Sequence, residues 1–175
     1  MKVDERKIIL NTLDILKNAR FNRIGRCINM IWIIFSGKDG EEYAFDIQSF
    51  FRICRQDRIL ITGFDKYQPT KTIVSNPLFK PETYDYDVQG DNLFDEWVIN
   101  KGRDILSNSY IQKIELNNFG DLILYMSNDL VLTIFWDRTN INECWRVFKR
   151  KSKNKHLVIT GHGVEDLEEW VNEFK

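Results

Sequence analysis

Twice along this 175-residue chain, a stretch with the period of an amphipathic helix gives way to short strand-like runs bounded by turns. The two periodicities present different faces, so the alternation dictates helices lying on antiparallel strands. In the first instance Ile9, Leu13 and Leu16 follow the i, i+4, i+7 spacing and predict a helix over 3–18. Asp4 and Glu5 fall in its first turn and Lys17 in its last, as the helix dipole favours. In the second, Leu93, Phe94, Trp97, Val98 and Ile105 predict a helix over 92–107, capped by Asp91 or Asn92.

Strands follow each helix. After the first come an apolar run over 23–36, a Gly37-Lys38-Asp39-Gly40 turn, and an alternating segment through Tyr43, Phe45 and Ile47. Phe51–Cys54 reads as an edge or bent strand, and Ile59–Thr62 closes a meander. After the second come Ile111–Leu116, Asp121–Met126 and Leu130–Trp136, then a hairpin of Trp145–Lys149 with His156–Thr160. Val164, Leu167, Val171 and Phe174 suit a short terminal helix.

The two halves also share residues at the closing hairpin. Arg52-Ile53 precedes a turn and Leu60-Ile61-Thr62-Gly63, while Arg146-Val147 precedes a basic turn and Val158-Ile159-Thr160-Gly161. One helix on a small sheet cannot cover both its faces, but two such units can bury their open faces together. The expected fold is therefore α+β: two pseudo-symmetric helix-plus-antiparallel-sheet repeats packed together, with a short C-terminal helix. The boundaries read as 1–63 for the first repeat, 64–90 for a connection, 91–163 for the second repeat and 164–175 for the helix. All three prolines, Pro69, Pro77 and Pro81, fall in the connection, which argues against a central strand there.

Ile24-Gly25-Arg26, Met30-Ile31-Trp32, Phe45-Asp46-Ile47-Gln48 and Phe51-Arg52-Ile53 carry a resemblance, echoed by Glu143, Trp145-Arg146-Val147-Phe148 and His156-Leu157-Val158. On these the chain resembles a group of small uncharacterised bacterial proteins with an internal two-fold repeat. The resemblance implies no known activity. Small cytosolic proteins of this kind are frequently immunity partners in bacterial toxin systems, and that analogy sets the functional expectation.

Composition excludes more than it selects. Twenty-five basic residues nearly balance 26 acidic ones, so no global charge draws the chain to nucleic acid or membrane. The first residues, Met1-Lys2-Val3-Asp4-Glu5-Arg6-Lys7, are charged and unlike a secretory signal, and the expected location is the cytoplasm. Cys27, Cys54 and Cys144 are expected as buried, reduced thiols. His156 and His162 lack metal-ligand spacing, and no nucleotide-binding glycine motif or nucleophile elbow occurs, so no cofactor, metal or catalytic residue is assigned. The basic run 149–155 lies between two strands without interleaved aromatics, which disfavours nucleic acid as a partner.

The acidic residues are more suggestive. Glu82, Asp85, Asp87, Asp91, Asp95 and Glu96 cluster with Tyr84 and Tyr86, and Glu165, Asp166, Glu168 and Glu169 lie beside Trp170. Aromatics among charges are typical interface anchors, and an acidic surface can block a basic partner. The expected function is a non-catalytic protein-binding module, an immunity- or antitoxin-like partner neutralising a bacterial toxin or effector. Its partner-binding residues are Tyr84, Asp85, Tyr86, Asp87, Asp91, Asp95, Glu96 and Trp170. The alternative is an unfamiliar hydrolase with a site in the groove between the halves, lined by carboxylates or His162.

Overall fold

A computed structural model describes residues 3–173. The chain opens with α1 (Val3–Leu13), extended by one 3₁₀ turn (Asp14–Leu16). Ile9, Leu13 and Leu16 are buried, as their spacing requires. The helix stops short of residue 18 because Asn18 adopts a left-handed φ of 67°, a conformation that ends helices. Five strands follow: β1 (Arg20–Cys27), β2 (Met30–Ser36), β3 (Glu42–Ile47), β4 (Phe51–Arg55) and β5 (Arg58–Thr62). After a connection that contains α2 (Lys71–Val74) comes a helical segment in three parts. These are α3 (Leu93–Trp97), a π turn (Val98–Gly102) and α4 (Arg103–Leu106). Then come β6 (Ile111–Leu116), β7 (Leu122–Met126), β8 (Leu130–Ile134), β9 (Glu143–Lys149), β10 (Leu157–Thr160), β11 (Gly163–Val164) and α5 (Leu167–Glu173). Of the residues expected in the terminal helix, Phe174 lies outside the described residues.

The strands form two antiparallel sheets, ordered β1-β2-β3-β9-β10-β11 and β5-β4-β8-β7-β6. Helices and antiparallel sheets together make the protein α+β. The meander expected from β1 to β5 breaks after β3, and β4 crosses to the other sheet. There it is an interior strand between β5 and β8, not the edge or bent strand its sequence suggests. The chain crosses back between β8 and β9. One sheet therefore takes β1–β3 from the first half and the β9–β10 hairpin with the short β11 from the second, and the other takes β6–β8 from the second half and the β4–β5 hairpin from the first. Residues from both sheets and from α1, α3, α4 and α5 belong to one hydrophobic cluster, so the halves share a single core.

The register sharpens this correspondence. Arg146 of β9 lies opposite Asp46 of β3, and Arg52 of β4 lies opposite Thr133 of β8. Trp145 faces Ile47 as Phe51 faces Ile134. The Ile-Thr-Gly tripeptides do not share register: Ile53 pairs with Ile61, whereas Val147 pairs with Leu157. They share a local role instead, because Thr62 and Thr160 each accept the backbone N–H two residues on, at 3.2 and 3.1 Å. Helix α1 packs along β6 and β11, while α3 touches β5 and α4 touches β1, so helices cover the sheet edges.

One expected strand, 23–36, is two. A two-residue turn at Ile28-Asn29 folds β1 onto β2, with Cys27 opposite Met30. No Gly, Pro or Asp marks it, and Ile28 sits at a φ of 52° that a β-branched residue adopts at a cost. Ile28 is exposed, so little packing opposes a change. Ile28→Asn is expected to stabilise the protein by about 1 kcal/mol, since Asn tolerates this region of φ. A lower urea midpoint for the variant would contradict the strain. The cysteines depart from expectation too: only Cys144 is buried, Cys54 is partly exposed and Cys27 is exposed, because they sit on differently covered strand faces. Among the described residues no helix is long and apolar enough to cross a membrane.

Candidate functional site

The connection between β5 and α3 is the segment with most surface and least regular structure, yet it is tied down throughout. At its start Thr62 and Asp65 form a reciprocal capping box, with the Thr62 N–H donating to Asp65 Oδ2 at 2.7 Å. This fixes a 3₁₀ turn over Gly63–Tyr67. The ends of the rest are then stitched together, since Thr70 N donates to Asp91 O at 3.0 Å and Leu93 N to Gln68 O at 2.9 Å. The segment between is thus a closed loop with its ends adjacent. Thr70 caps α2, and Asn92 caps α3 by accepting from the Asp95 N–H at 2.9 Å.

The tip of the β1–β2 hairpin clamps this loop from below. Arg26 is buried, and its Nε lies 3.0 and 2.9 Å from the two carboxylate oxygens of Asp95. Its remaining donors reach Ile28 O at 3.1 Å and Val88 O at 2.8 Å. Asp95 also accepts from Gly90 N and Asn92 Nδ2. Lys66, likewise buried, donates to the carbonyl of Asn29 in the hairpin turn. The β1–β2 hairpin thus holds the connection through the Arg26 side chain and through the Asn29 carbonyl that Lys66 reaches.

Along the upper surface runs a ladder of four aromatic rings. Phe50 stacks on Phe64 with centroids 5.6 Å apart, Phe64 meets Tyr67 edge-on at 5.9 Å, and Tyr67 meets Tyr86 edge-on at 4.9 Å. Phe50, Phe64 and Tyr86 remain 44, 52 and 37% exposed. Exposed Asp85 and Asp87 flank Tyr86, and Asp85 Oδ1 accepts the Asp87 N–H at 2.9 Å. Tyr84 is half-buried against Phe79 and donates to Asp91 O at 3.2 Å; burial, then the nearby Asp91 carboxylate, raises its phenol above the usual range.

The residues expected to bind a partner therefore divide. Tyr84, Asp85, Tyr86, Asp87 and Asp91 come together on the connection. Asp95 is spent internally on Arg26, with its side chain only 12% exposed. Glu96 lines a cavity of about 390 Å³ with Leu60, Asp65, Lys71 and Lys101. Trp170 is not on the surface: it is buried in the core cluster with the Lys155 ammonium 5.2 Å from its ring, because α5 turns its apolar face inward. What the expectation omitted is the other half of the ladder, Phe50, Phe64 and Tyr67. The pattern Thr62-Gly63-Phe64-Asp65, a capping box that presents an aromatic at its third position, was the available signal.

Part of the basic run is paired locally: Lys149 pairs with Glu41, Arg150 with Glu42 and Lys155 with Glu169. His156 stacks on Phe148 with centroids 4.3 Å apart, and His162 lies on an exposed turn after β10. Among the described residues no group of His, Cys, Asp and Glu side chains is arranged to hold a metal ion. Comparison of the chain with known protein families, with curated proteins and with solved structures finds no match.

Proposed function

We propose that the protein is a non-catalytic binding module that docks another protein through the aromatic ladder and its acidic flank. The observation that carries this is three partly exposed rings, Phe50, Phe64 and Tyr86, joined through Tyr67 into one run of ring contacts on backbone fixed by a capping box and a buried guanidinium. Rings that are already ordered lose little entropy on binding, which is what makes aromatic anchors effective. Asp85 and Asp87 beside them favour a partner with a basic surface and speed its encounter. An immunity- or antitoxin-like role, in which a cytoplasmic toxin or effector is occluded, fits this chemistry.

The scaffold beneath fits an origin by duplication. Matching strand order, matching positions of Arg52 and Arg146, and the shared role of Thr62 and Thr160 support two pseudo-symmetric repeats that have exchanged hairpins. The ladder lies mainly in the part the repeats do not share.

The test uses the partner that copurifies in stoichiometric amount from the native host. Replacing Phe64 and Tyr86 together by serine is expected to weaken the complex by roughly 100-fold or more, mainly through faster dissociation. The association rate of the unaltered complex is expected to fall as salt rises. An unchanged dissociation rate in the folded double variant would refute this placement of the interface.

A further inference from the structure

Where the chain crosses between the sheets, the two crossing corners are bonded to each other. Phe50 N donates to Asp137 Oδ2 at 2.7 Å, Phe135 N to Phe50 O at 2.8 Å, and Arg138 Nη2 to Gln48 O at 2.7 Å. Beneath the ladder these corners and the Gly63–Tyr67 turn enclose a cavity of about 200 Å³, lined by Ser49, Phe50, Lys66, Tyr67, Asp137 and Arg138. It is smaller than pockets that take drug-sized ligands, and of a size for a small ion or short acid.

Its chemistry is cationic and incomplete. Lys66 is 7% exposed, and its ammonium donates to Asn29 O and lies 4.9 Å from the Tyr67 ring centroid. The charged groups acting on it are the Arg26 and Arg138 guanidiniums, both of its own sign. Arg26 is already matched by Asp95. Asp137 is the carboxylate in the lining, and it is engaged by the Phe50 N–H and lies 3.9 Å from Arg138 Nε. Ser49 is 7% exposed, and its hydroxyl is buried without a hydrogen-bond partner among the described residues. Lys66, Arg138 and Ser49 line one small cavity; the hydroxyl has no acceptor among the described residues, and the ammonium and guanidinium keep N–H groups beyond those given to Asn29 O and Gln48 O.

We propose that this cavity is a binding site for a small oxyanion, a phosphate or a carboxylate, held by Lys66, Arg138 and Ser49. The inference does not rest on the partner-binding reading, and either can fail alone. The bound oxygens accept from the Lys66 ammonium and the Ser49 hydroxyl, while Arg138 supplies a second positive charge. An anion there also relieves the repulsion among Lys66, Arg26 and Arg138. Burial, reinforced by those two guanidiniums, pushes the Lys66 ammonium down to about 8. The unfolded chain therefore holds more protons between about 8 and the ordinary 10.5, and without ligand the stability contribution of this group rises with pH across that window. Anion binding has the opposite preference: it needs Lys66 charged, so it weakens as pH rises above about 8.

Thermal unfolding in sodium phosphate, in sodium acetate, and in sodium chloride at matched ionic strength tests the site and tells phosphate from carboxylate. Phosphate or acetate at about tenfold above its Kd is expected to raise Tm by roughly 3–6 °C over chloride at pH 7, and by less at pH 9. Lys66→Met, which keeps the packing of the stem, is expected to abolish the rise. Ser49→Ala is expected to weaken apparent affinity about tenfold, and it decides alone should Lys66→Met not fold. No rise over chloride with either anion, a rise that survives Lys66→Met, or a rise undiminished by Ser49→Ala in a folded variant, overturns the proposal.

Discussion

Replacing Arg26 by alanine is expected to cost about 3–5 kcal/mol of stability, the range for breaking a buried ion pair from one side. The guanidinium is almost completely buried and Asp95 nearly so, with side chains 1 and 12% exposed. Removing it leaves the Asp95 carboxylate with only Asn92 Nδ2 and the Gly90 N–H. It also strips donors from Ile28 O and Val88 O. The same change releases the connection from the β1–β2 hairpin, so proteolysis within 63–92 is expected to accelerate. Arg26→Lys restores the charge but not the fork that meets both Asp95 oxygens, and is expected to recover less than half of the loss. A urea midpoint shift equivalent to less than about 1 kcal/mol for the alanine variant would show that this clamp is not what holds the connection.

The second large effect lies in the shared core. Trp145→Ala and Phe51→Ala are each expected to cost about 3–5 kcal/mol, because both rings are buried in the core cluster and truncation leaves a cavity there. Trp145 is 0% and Phe51 1% exposed, and each sits on the strand that its half lends to the other sheet. Phe51 meets Phe94 of α3 edge-on at 6.1 Å, and Trp145 meets Phe45 of β3 at 6.0 Å. Since each ring packs against the opposite half, either substitution is expected to lower one cooperative transition seen equally by probes in both halves. Two resolved transitions would contradict a shared core.

Much of the architecture was legible because local signals were strong. Ile111–Leu116 is a strand with the boundaries its composition suggests, and Asn92 caps α3 as its position predicts. The β1–β2 turn was hidden because Ile28 takes a conformation usually left to Gly or Asn, so the apolar run looked uninterrupted. The hairpin exchange was also invisible. Alternation in Phe51–Arg55 reports two differently buried faces, not which sheet receives the strand. The π turn over Val98–Gly102 left the apolar spacing of the second helix readable; at its end the Trp97 ring packs so close to Gly102 that a Cβ there would stand 2.4 Å from it.

At the candidate face the acids and Tyr86 were readable as surface, since charges seldom bury without partners. Asp95 and Trp170 were misplaced for one reason: sequence shows that a residue is polar or aromatic, not whether a distant group such as Arg26 or the core claims it. The cavity at the crossing was beyond reach. Ser49, Lys66 and Arg138 come from three loops that only the exchange of hairpins brings together.

Hydrogen–deuterium exchange of the protein alone and in complex with its stoichiometric partner tests the binding face most directly. The expected result is new protection across 63–92 and the Phe50 corner, with the outer strand faces and the basic turn at 149–155 unchanged. Protection confined to those strand faces or that turn, with 63–92 exchanging as in the free protein, would contradict it.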